Sequence, residues 1–67
     1  MIDITLNGKP QPLEKAVDIA SLLATLGVNP QQAAVAVNGE VVTRSDWPRA
    51  VLRDGDVVEV VRAVGGG

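Results

Sequence analysis

The residues best placed to take part in chemistry are the last five, Ala63-Val64-Gly65-Gly66-Gly67. Glycine has no Cβ, so this segment can enter spaces that any other residue would block. With Gly67 expected as the true terminus, the group at the tip is an α-carboxylate. It is ionised at neutral pH and is a poor electrophile. It therefore needs activation from outside. A slim arm ending in a carboxylate suits a protein on which another enzyme acts. Small residues also gather at chain ends without any function, and three glycines alone do not separate the two readings.

The rest of the chain offers little catalytic equipment. It has 67 residues, no His and no Cys. General acid–base work near neutral pH most often uses His, and the usual zinc sites and disulfides need the same absent residues. Ser21 and Ser45 therefore lack a His partner and read as helix and turn residues. Asp54 and Asp56 flank Gly55, which reads as a solvated turn rather than a metal site. Lys9, Lys15 and the four arginines are scattered, so no phosphate-binding cluster is expected. The terminal glycines precede no helix that could bind phosphate. No catalytic residue, metal ligand or bound cofactor is expected within the chain. The net charge of −2 argues against nucleic acid as a partner. No apolar stretch approaches the roughly 20 residues of a membrane span. The start Met1-Ile2-Asp3 lacks the basic region of a signal peptide. A small cytoplasmic protein is the expectation.

The elements that must position the arm follow from the apolar pattern. Ile2, Ile4 and Leu6 alternate with Asp3 and Thr5, a half-buried strand. Asn7-Gly8 favours a tight hairpin turn. The return Lys9-Pro10-Gln11-Pro12-Leu13 loses two backbone donors to proline and belongs at a sheet edge. Asp18 can cap a helix in which Ile19, Leu22, Leu23 and Leu26 share one face. Gly27 suits its left-handed end. Ala33–Val37 reads as a strand, Asn38-Gly39 as a second hairpin turn and Glu40-Val41-Val42 as its return. Thr43 to Arg49 reads as a loop or single helical turn. The last strand runs from about Val57 to Ala63. The order hairpin, helix, hairpin, strand predicts an α+β fold of the β-grasp type. It has one mixed sheet of four or five strands with one main helix on one face. The first and last strands are expected parallel at its centre. Residues 1–64 form the domain and residues 65–67 a flexible tail.

The core expected from this pattern is Ile2, Ile4, Leu6, Ile19, Leu22, Leu23, Leu26, Val35, Val37, Val58 and Val60. If Glu59 faces solvent, Val57, Val61 and Ala63 share its face and form a candidate docking patch. Coverage of both faces of a central strand is the equal alternative. Trp47, the sole aromatic, has the type of a partner anchor, but it is expected instead to cap the core beneath its loop.

Leu6-Asn7-Gly8, Ala36-Val37-Asn38-Gly39-Glu40-Val41-Val42, Arg44-Ser45-Asp46-Trp47, Asp54-Gly55-Asp56 and Val64-Gly65-Gly66-Gly67 occur in this order along the chain. In that order and spacing the sequence resembles the ThiS family, ubiquitin-like sulfur carriers of thiamine biosynthesis. The resemblance implies a protein co-substrate rather than an enzyme. An E1-like adenylating partner of the ThiF type would use ATP to form an acyl-adenylate on Gly67, with Gly65 and Gly66 entering its active site. Sulfur from a persulfide donor would replace AMP, leaving a thiocarboxylate for a thiazole synthase of the ThiG type. A molybdopterin-type carrier, a ubiquitin-like modifier that forms amides with lysines, and a β-grasp module with an inert tail remain alternatives.

Overall fold

Two Asn-Gly turns and one capped helix set the chain's course. In the structure, a computed structural model that describes residues 1–62, β1 (Ile2–Leu6) and β2 (Lys9–Leu13) form the first hairpin. Helix α1 (Ile19–Leu26) follows, then a 3-10 turn at Pro30–Gln32. β3 (Ala33–Val37) and β4 (Glu40–Val42) form the second hairpin, a 3-10 turn covers Arg44–Asp46, and β5 (Val57–Arg62) closes the sheet. Asn7 and Asn38 both have φ of 51°, and Gly8 and Gly39 have φ of 82° and 84°. Both hairpin loops thus need residues that accept positive φ at each position.

The five strands lie in the order β2-β1-β5-β3-β4. β1 and β5 are parallel, and every other neighbouring pair is antiparallel. This is the mixed sheet expected, with five strands and the first and last side by side. β2, with Pro10 and Pro12, is an edge strand, where two missing N–H groups cost least.

Asp18 caps α1. Its carboxylate accepts from the Ser21 N–H at 2.7 Å and the Ser21 hydroxyl at 3.2 Å. Gly27 ends the helix at φ 73° and donates to Ala24 and Leu23 carbonyls. The Ile19 N–H, which no helical carbonyl can satisfy, donates to Ala50 O at 3.0 Å. No described helix is long and apolar enough to cross a membrane.

The core is Ile4, Ile19, Leu22, Leu23, Val35, Trp47, Leu52 and Val58. Ile2, Leu6, Val37 and Val60 pack against it half-buried. Leu26, expected inside, is 38% exposed. β1 turns away at Asn7, so the last turn of α1 faces an open cleft of about 250 Å³ shared with Leu6, Val28 and Val60. Leu52 was not expected in the core. It enters because its N–H donates to Val17 O at 2.8 Å, laying its segment along the approach to α1. Trp47 does cap the core. It is 3% exposed, and its indole N–H donates to Val42 O at 2.9 Å.

Candidate functional site

The expected arm continues β5, so the groups holding β5 decide where it leaves the body. On one flank β5 pairs with β3 from Val37↔Val58 to Ala33↔Arg62. On the other, the parallel pairing with β1 covers Thr5↔Val57 and Leu6↔Val58. Two asparagines add to this. The Asn38 N–H donates to Val57 O at 2.7 Å, and its side-chain oxygen accepts from Val57 N–H at 2.9 Å. The Asn7 side chain accepts from Val60 N–H at 2.8 Å and donates to Val60 O at 3.2 Å.

In the sequence both asparagines read as turn formers, and this second use is not apparent there. The signal was the pair itself: the same dipeptide closes each hairpin beside the final strand. Asp54 and Asp56 also belong to this frame. Asp54 accepts from Asp3 N–H at 2.8 Å, and Asp56 accepts from Arg53 N–H at 2.9 Å and the Asn38 amide at 3.1 Å. They order the turn that launches β5. No group of three or more His, Cys, Asp or Glu among the described residues is placed to hold a metal.

Helix α1 covers one face of the sheet, and β5 shows the other to solvent. Val57 and Val61 are 43% and 62% exposed, and Glu59 between them is exposed. The alternative of a strand covered on both faces does not hold for this chain by itself. Ala34 pairs with Val61 and is also exposed. Val41 of β4, paired with Ala36, extends the apolar surface and is 77% exposed. The sequence reading did not include Val41, because a three-residue strand shows too little alternation to assign its faces. Ala63, Gly65, Gly66 and Gly67, with the boundary between domain and tail, lie outside the described residues.

Thr43–Trp47 sits next to β4 at the sheet edge. Arg44 donates to Gln31 at 3.4 Å and lies 5.9 Å over the Trp47 ring.

The model of the ThiS family matches residues 4–67. The sulfur carrier protein ThiS of Thermus thermophilus is 42% identical over 64 residues, covering 96% of this chain and 98% of that protein. A thiazole synthase of Magnetococcus marinus is 41% identical over 64 residues, but this chain spans only 20% of its length. The crystal structure of the thiamine biosynthesis protein ThiS from Geobacter metallireducens has a TM-score of 0.85 and 33% identity, covering 98% of this chain and all of that one. Matched over nearly its whole length in sequence and in fold, this chain belongs to the ThiS family.

Proposed function

We propose that this protein carries sulfur on the carboxyl group of Gly67 for formation of the thiazole ring of thiamine. The supporting observation is the family match, which runs through the glycine end to residue 67. An E1-like partner binds ATP and the arm. A carboxylate oxygen of Gly67 attacks the α-phosphorus, an acyl-adenylate forms and pyrophosphate leaves. The terminal sulfur of a persulfide then attacks the acyl carbon and expels AMP. A second thiol cleaves the resulting acyl disulfide to the thiocarboxylate, and the two thiols end as a disulfide. The protein supplies recognition and delivery, and its partners supply the reacting groups. A thiazole synthase then accepts the sulfur. The relative in which a similar segment shares a chain with a thiazole synthase supports that partner, since covalent linkage raises the local concentration of one for the other.

The test is intact mass after incubation with an adenylating enzyme, ATP and a persulfide donor. An AMP adduct followed by exchange of one oxygen for sulfur supports the reading. A ladder of conjugates to other proteins would replace it with a modifier, and an unchanged mass with an inert tail. Deleting Gly66 and Gly67 should abolish the mass change and leave the unfolding midpoint in place. An unfolded body after truncation would contradict an arm that serves delivery alone.

The partner docks on the open face of β5, over Val57 and Val61. Val61→Asp puts a charge into that surface without touching the core. It should weaken partner binding about tenfold, roughly 1.4 kcal/mol. Arg44→Ala removes a stacking contact worth about 0.5–1 kcal/mol at the far edge, and should change stability more than sulfur loading. A loading assay that ranks the two the other way would move the docking surface to the β4 edge.

A further inference from the structure

We propose that Asn7 is a positioning residue for the arm. Its side chain serves as the last rung of β1 and fixes the direction in which β5 leaves the body. This role rests on the sulfur-carrier reading.

Three successive donors from Thr5 and Asn7, at the end of β1, reach the alternate carbonyls of Asp56, Val58 and Val60 on and just before β5. The Thr5 N–H reaches Asp56 O at 2.9 Å, and the Asn7 N–H reaches Val58 O at 2.9 Å. The third, on Val60 O, is the Asn7 side-chain amide. A regular parallel strand would supply that bond from the backbone two residues further on. Here the backbone has already turned at Asn7-Gly8 into β2. A carboxamide has the donor and acceptor of a peptide group, so the Asn7 side chain replaces the missing peptide on both sides of Val60. Asn is also one of the few side-chain-bearing residues that accept φ of 51°. One residue therefore closes the hairpin and extends the ladder.

The consequence is geometric. Gly67 lies seven residues beyond Val60, about 23–25 Å if extended. A small change in the angle of β5 at Val60 is multiplied over that length. Misplacement of a reacting atom by about 1 Å can slow a reaction about a hundredfold. Clamping β5 from both flanks at Val60 shortens the lever to the residues after it.

Asn7→Gly isolates the effect, because glycine keeps the turn conformation and removes only the carboxamide. Asn38→Gly makes the same change in the other hairpin, at the start of β5. The full chains are incubated with an E1-like adenylating enzyme and ATP. Acyl-adenylate formation at saturating partner should fall about tenfold to a hundredfold for Asn7→Gly, while partner binding stays near that of the parent. Hydrogen exchange at the Val60 amide should speed up in the same variant. Asn38→Gly should destabilise comparably yet load at close to the parental rate. Asn7→Asp keeps the acceptor and loses the donor, so its rate should fall between the parent and Asn7→Gly. Equal slowing by both glycine variants would show loss of stability alone and overturn the role. So would a parental rate in Asn7→Gly once Val60 exchange has risen. A parent chain that no such enzyme adenylates overturns the carrier reading and this role together. A parent that loads beside an unslowed Asn7→Gly overturns only this role.

Discussion

Gly67→Val should leave the fold and the docking of this protein nearly intact and prevent thiocarboxylate formation. Among the described residues, all eight buried core residues lie between Ile4 and Val58. The substitution leaves each of these eight side chains in place. The reaction is far more demanding. In the reaction proposed above, the carboxylate has to meet the α-phosphate of ATP in line, and a reacting atom tolerates little displacement. Valine adds a branched Cβ to the reacting residue itself, and β-branching also restricts its backbone. One extra residue after Gly67 would act by a different route, moving the reactive carbon by roughly 3.3–3.6 Å. That is several times the displacement that already slows reactions about a hundredfold. The measurement is intact mass with an adenylating partner, ATP and a persulfide donor. A valine-ended chain that loads as fast as the parent would defeat the steric argument.

The topology was legible because its signals are local and redundant. Asn-Gly twice, Asp18 before an apolar face, Gly27 after it, and two prolines in one short strand each point to a single conformation. Their order leaves few sheets to choose from. The burial of Leu52 was not legible. It depends on hydrogen bonds between Val17 and Leu52 and between Ile19 and Ala50, which bring together segments more than 30 residues apart. Leu26 failed for the opposite reason. Helical spacing says which residues share a face, but not where the sheet beneath that face stops. At the candidate site, the run Gly65-Gly66-Gly67 is visible in residue types alone. The open face of β5 was not, since alternation shows that Val57 and Val61 share a side and cannot say whether anything covers it. Asn7 and Asn38 were hidden by a sufficient explanation. Positive φ already accounts for Asn in each turn, so the residue type carries no separate sign of work by the amide.

Leu23→Ala should remove much of the stability of the domain. Leu23 is 1% exposed, on the face of α1 that meets the sheet. Replacing a buried Leu with Ala costs about 2–5 kcal/mol, the larger values where the surroundings cannot close the cavity. A core in a chain this short rarely supplies more than about 3–5 kcal/mol, and no disulfide makes up the difference. For a domain of this size about 1 kcal/mol shifts the melting temperature by about 4–8 °C. Thermal unfolding followed by circular dichroism should therefore show a drop on the order of 10 °C or more. Leu26→Ala is the matched comparison. Leu26 belongs to the same apolar row but is 38% exposed over the cleft, so its loss should shift the midpoint by less than half as much. Equal shifts would mean that the helix packs on a different face. The helix and the open face of β5 lie on opposite sides of the sheet. At a temperature where some Leu23→Ala protein remains folded, sulfur loading per folded molecule should therefore match the parent. A lower rate per folded molecule would show that the packing of α1 reaches through the sheet to the arm.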